Sequence, residues 1–146
     1  MFASILKKLT DPAPSPLDDD DARLALTALL VRVARTDGDY APEEKDRIDR
    51  ITAKRFGLSP FEATDLRRRA ETLESEAPDT VVFTEAIKQA VDYDNRLGVV
   101  EALWQVALAD GQRDADEDTL LRLVSKFLGV SDMESARVRQ RVAGTS

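Results

Sequence analysis

An all-α fold, a single pseudo-two-fold bundle of about seven helices built from two three-helix repeats, is what the sequence predicts on three observations. Apolar residues recur at the 3.6-residue period, and no segment sustains the period-two alternation of a half-buried strand. Six glycines, six prolines and 5% aromatic residues, beside abundant Ala, Leu, Arg, Glu and Asp, favour helix over sheet. The third observation is internal duplication. RLALTALLVRVARTDG, which follows Ala22, aligns with RLGVVEALWQVALADG, which follows Asn95, and brings Asp37-Gly38 onto Asp110-Gly111. After one deletion Phe56-Gly57-Leu58-Ser59 falls on Leu128-Gly129-Val130-Ser131.

In chain order, residues 1–21 read as an arm and a Pro- and Asp-rich linker, ahead of a helical domain at 22–146 with repeats at 22–74 and 95–143. In the arm Phe2, Ile5, Leu6 and Leu9 share one helical face, opposite Lys7 and Lys8, as in a short helix docked on the bundle or a partner or, alternatively, an interfacial membrane anchor. Asp18 to Asp21 supply a helix cap and a negatively charged first turn. The first helix, about Asp19 to Arg35, carries Leu26, Leu29, Leu30 and Val33 on one stripe. A second is expected from Pro42 to Arg55, with Ile48 and Ile51 inward, and a third from Pro60 to about Glu74. The break Ser75-Glu76-Ala77-Pro78-Asp79 precedes a middle helix, Thr80 to Val91, with Val82, Ala86, Ile87 and Ala90 inward. The helix from Asn95 to Ala109 is apolar nearly all round and should be central. Another, Ala115 to Leu128, places Leu120, Leu123, Val124 and Phe127 inward, and the last runs from Asp132 to about Ala143. Ser59-Pro-Phe-Glu62 and Ser131-Asp-Met-Glu134 are capping boxes, in which Ser and Glu satisfy each other's backbone donors at a helix start.

Composition excludes whole function classes. With no Cys and no His there is no thiolate nucleophile, disulfide, imidazole base or Cys/His zinc site. A formal charge of −7 argues against nucleic acid and anionic lipid, and favours cations or basic partners. No run approaches the roughly 18 apolar residues of a spanning helix, and the N-terminus lacks a signal-peptide pattern. A cytoplasmic, soluble protein is therefore expected.

The candidate chemistry lies in two acidic turns, DGDYAPEE (37–44) and DGQRDADE (110–117). Both match the second half of a calcium loop, Asp-Gly followed by Glu after five residues. The first half fails, because Val33 and Arg35, or Val106 and Leu108, would occupy ligand positions. These are not EF-hands. Asp37, Asp39, Glu43 and Glu44 in one turn, and Asp110, Asp114, Asp116 and Glu117 in the other, form oxygen-only sets suited to calcium, magnesium or manganese. The same residues also suit helix punctuation, with glycine at a left-handed C-cap and acids in the next first turn. Arg67, Arg68, Arg69, Arg137, Arg139 and Arg141 recur near the ends of the third helix of each repeat, either as solvated partners of the helix dipoles or gathered into a basic face. No nucleophile–base pair, phosphate-cradling glycine loop or dinucleotide fingerprint is present, so an enzyme is not expected.

An apolar helix entering Ala-Asp-Gly, an acid opening the next helix, then Phe-Leu-Gly-Val-Ser, duplicated around a middle helix, resembles the TerB-like proteins of bacterial tellurite-resistance operons. The domain also fronts some membrane-anchored J-domain co-chaperones. The likeness covers about Ala22 to Ala143. Ala109 to Gly111 with Glu117 is its closer match; in the first turn Thr36 replaces the alanine and Ala41 stands where Asp114 stands, so the ligand sets differ. The resemblance implies an acidic helical bundle linked to metal or oxyanion stress, with calcium-binding and membrane-associated partners and no known reaction. Direct tellurite reduction would call on thiols, and none exists. A non-enzymatic stress-response or scaffold domain binding divalent cations or a protein partner is the leading expectation. The alternatives are a carboxylate-based metal enzyme, which needs Asp37, Glu44, Asp110 and Glu117 to converge, and a protein-interaction module without metal.

Overall fold

A computed structural model describes residues 18–37, 40–77, 79–109 and 115–144, with side chains described outside 36–37, 107–109 and 115–120. The N-terminal arm, including the apolar face of Phe2 to Leu9, lies outside the described residues. Seven helices are described and no strand is found among these residues: α1 Asp19–Asp37, α2 Pro42–Phe56, α3 Pro60–Glu76, α4 Thr80–Ala90, α5 Tyr93–Ala109, α6 Ala115–Phe127 and α7 Asp132–Gly144.

Local chemistry sets the helix ends. Asp18 Oδ1 accepts the Asp21 N–H at 2.8 Å to open α1. At α3 the capping box is complete: Ser59 Oγ accepts from the Glu62 N–H and Glu62 Oε1 accepts from the Ser59 N–H. At α7 Ser131 Oγ accepts the Glu134 N–H at 3.1 Å. Asp79 caps α4 through the Val82 N–H. Helices α2 and α6 stop in the same way, at Gly57 (φ 67°) and Gly129 (φ 71°), left-handed positions that glycine adopts without strain. The following amides, Leu58 and Val130, reach back to the Ala53 and Ser125 carbonyls.

One continuous core runs through the bundle. Helix α1 packs on α3, α2, α4 and α6, while α5 packs on α2, α7 and α6. The expected stripe Leu26, Leu29, Leu30 and Val33 is buried, and so is nearly every other α1 residue from Leu24 to Ala34, which makes α1 as central as α5. Val31 and Trp104, matched by the repeat, are both buried. Thr27, Thr52 and Thr84 lie in the core with each hydroxyl donating to the carbonyl four residues earlier.

Two helix faces differ from expectation. In α4 Val82 is exposed at 45% and Phe83 is fully buried. The larger ring completes the i, i+3, i+4, i+7 stripe with Ala86, Ile87 and Ala90, and it turns both valines to solvent. Among the described side chains of α6, Leu121, Val124 and Ser125 are buried and the expected Leu123 and Phe127 are only partly covered, while the side chain of Leu120 lies outside the described set. Leu128 and Val130, on either side of the glycine turn at Gly129, are both buried.

Candidate functional site

Helix α1 brings a charge into its own apolar surface at Arg32, between Val31 and Val33. The guanidinium meets Glu74 at the end of α3, Nε to Oε1 at 2.6 Å, and also donates to the Glu74 carbonyl and to Thr80 Oγ1 at the start of α4. Arg35 reaches the other Glu74 oxygen at 3.3 Å. Glu74 is buried at 5% exposure, so both guanidiniums offset the cost of taking its carboxylate out of water. Three helices are thereby tied at one point.

A second cluster joins α2 to α3. Arg67 donates Nε to Asp49 Oδ1 at 2.7 Å and Nη1 to Glu71 Oε2 at 3.0 Å, while Thr64 donates to Asp49 Oδ2. Tyr40, ahead of α2, donates its hydroxyl to Glu71, and Arg35 and Lys45 each lie 5.1 Å from its ring centre. Burial, reinforced by the Glu71 hydrogen bond and charge, pushes the Tyr40 phenol above its ordinary range and keeps it protonated. Burial alone would lower Arg67, but the hydrogen bonds and charge of Asp49, with Tyr40 and Glu71, outweigh it and hold the guanidinium above its usual value. The Glu62 carboxyl is held below its ordinary value by the backbone and hydroxyl of Ser59.

The acidic turns are only partly described. Glu43 is exposed and Glu44 half-buried in the first turn of α2, where their charges complement the helix N-terminus. Asp37 ends α1, and Asp116 and Glu117 lie in the first turn of α6, with side chains outside the described set. Asp39, Asp110 and Asp114 lie outside the described residues. Among the described residues no group of three acidic side chains converges to hold a metal ion.

The six arginines have different surroundings. Arg67 is consumed internally, Arg69 pairs with Asp65, and Arg141 reaches Glu101 on α5. Arg68, Arg137 and Arg139 are exposed, and Arg139 lies 5.5 Å from the Trp104 ring centre. Sequence reasoning missed the Arg32–Glu74 and Arg67–Asp49 pairs, whose partners lie 42 and 18 residues apart. The available signal was Arg32 itself, a cation between two buried valines that needs a partner.

No helix among the described residues is long and apolar enough to cross a membrane. A family model described as tellurite resistance protein TerB matches residues 23–140, and the chain belongs to that family. No curated protein and no solved structure matches it.

Proposed function

We propose that this TerB-family chain is a cytoplasmic, non-enzymatic stress-response or scaffold domain linked to tellurite and metal stress, engaging divalent cations or a protein partner through its two acidic turns. The observation that carries the reading is recurrence: Asp-Gly with Glu seven residues after the Asp occurs at 37–44 and again at 110–117, once between α1 and α2 and once between α5 and α6. A helix end needs glycine and any of several caps, so punctuation alone does not require the same acids twice. Hard divalent ions take several carboxylate, carbonyl and water oxygens, which both segments can supply. The proposal treats α1–α3 and α5–α7 as repeats about a pseudo-two-fold axis. Reciprocal packing supports this, α2 lying on α5 and α6 on α1.

Calorimetry on the full chain tests the proposal. Calcium or manganese should bind weakly, roughly between 0.1 and 1 mM. Asp110→Asn with Glu117→Gln keeps the hydrogen-bond acceptors but removes two charges, and should abolish binding while shifting the melting temperature by only a few degrees. A parent chain that binds neither ion at millimolar concentration would leave the turns as helix punctuation and the domain as a metal-free partner module.

A further inference from the structure

In the first half the wall between α2 and α3 is closed by charge: Asp49 takes both Thr64 and Arg67. In the repeat Thr64 and Arg67 correspond to Ala136 and Arg139 on α7. The residue that α6 sends to this second wall is Arg122, a second cation where the first half has a carboxylate. Between α5, α6 and α7 this leaves an open cleft of about 370 Å3.

Trp104, Ser125 and Ser135 form its buried lining, with Arg122, Arg139 and Asp132 exposed around them. Neither Arg122 nor Arg139 has a carboxylate within ion-pair distance among the described residues, whereas Arg32, Arg67, Arg69 and Arg141 all do. The hydroxyls are poised as donors. Ser135 Oγ accepts from Trp104 Nε1 at 3.0 Å and lies 3.5 Å from Ser125 Oγ, so the two hydroxyls hold protons that can turn to an incoming acceptor. Two guanidiniums and a buried hydroxyl donor match an oxyanion, and the planar fork of arginine suits phosphate oxygens in particular. Among the described lining residues Asp132 opposes an anion with one charge against two. A cation would meet the reverse balance.

We propose that the α5–α6–α7 cleft is a binding site for a small phosphate-class oxyanion, clamped by Arg122 and Arg139 and hydrogen-bonded by Ser135. The site is separate from the acidic turns and does not depend on their binding a metal. Its volume exceeds that of one inorganic phosphate, so both the free ion and a small phosphate monoester are to be tried.

Trp104 is the sole tryptophan of the chain and lines the cleft, so its fluorescence reports occupancy directly. Inorganic phosphate and glycerol 3-phosphate are titrated separately into the full chain at low ionic strength, against matched sodium chloride, with calorimetry repeating each measurement on variants. A saturable change is expected with at least one of them. Arg122→Gln and Arg139→Gln should each weaken it by about tenfold or more, the factor expected for losing one charge-assisted pair. Asp132→Asn should tighten it. Arg137→Gln, an exposed arginine of α7 outside the cleft, should leave it unchanged. Stronger binding of the monoester assigns an organic phosphate, and stronger binding of the free ion assigns phosphate itself. No saturation with either ligand, or equal weakening by Arg137→Gln, overturns the proposal, since the signal would then be diffuse attraction. Unchanged circular dichroism in every variant confirms that the fold is kept, as expected for exposed positions.

Discussion

The sequence alignment of the two halves sets Arg67 of α3 against Arg139 of α7, and the two lead different lives. Arg67 is 11% exposed and divides its donors between Asp49 and Glu71, under the hydroxyl of Tyr40. Arg139 is exposed, rests over Trp104 and has no carboxylate within ion-pair reach among the described residues. The contrast extends along the repeat. Arg32, which locks Glu74, corresponds to Gln105, and the polar link beneath Arg139 is the uncharged Trp104–Ser135–Ser125 chain. Glycine stops, serine caps and the apolar stripe are shared by both halves. The signals that recur along the sequence are thus those of helix formation, while the charge chemistry between the helices differs. Arg67 is spent on carboxylates of its own half; Arg122 and Arg139 face solvent.

The largest test breaks this contrast at the two arginines. Arg67→Ala should cost about 3 to 5 kcal/mol, because Asp49 and Glu71 lose their common partner in a half-buried setting. Arg139→Ala should stay within about 0.5 kcal/mol. Chemical denaturation measures both, and similar losses would mean that the second half carries an equivalent ionic lock. Next in size, Leu103→Ala in the core of α5 should cost about 2 to 5 kcal/mol through lost burial and a cavity, a core effect that should be matched by Leu30→Ala in α1. A cost confined to one half would show that the core is shared less evenly than the burial suggests.

The caps sharpen the comparison at smaller scale. Ser59→Ala and Ser131→Ala should each cost a similar amount, about 1 kcal/mol, since each removes one hydroxyl acceptor while the Glu62 bond to the backbone N–H of residue 59 remains. The smallest expected effect is one of pH. Glu62 has a folded value below its unfolded one, so its contribution is full above the ordinary glutamate range and fades as pH falls through the depressed folded value. Glu62→Gln should flatten that part of the stability–pH curve, and an unchanged acid limb would place the titration elsewhere.

Much of the fold could be read from residues alone, because period, caps and glycine stops are local signals. The starts of α2, α3, α4 and α7 follow from Pro42, Ser59 with Pro60, Asp79 and Ser131, and the ends of α2 and α6 from Gly57 and Gly129. Faces were harder. Val82 and Phe83 are neighbours of similar apolarity, and only packing against α1 decides which turns inward. The ionic clusters were hidden for another reason: Arg32 and Glu74, or Asp49 and Arg67, meet across helices, and charge patterning along one helix cannot show such pairs. The acidic turns were conspicuous as motifs, yet an acid at a helix start serves the dipole and a ligand equally well, so spacing alone does not separate the two.

Gly98 shows a subtler link between the repeats. It lies inside α5, where a glycine costs about 1 kcal/mol against alanine, and its counterpart in α1 is Ala25, fully buried. A Cβ at Gly98 would collide with the Arg55 guanidinium, which bonds to Asn95 Oδ1 at 3.0 Å. The missing methyl is thus a socket, and a side chain from the other repeat is its plug. For protein engineering this makes Gly98→Ala a poor choice despite its helix propensity: the gain of about 1 kcal/mol is offset by unseating Arg55, and melting should barely move. Positions 55 and 98 behave as one unit of design, to be exchanged together or left alone.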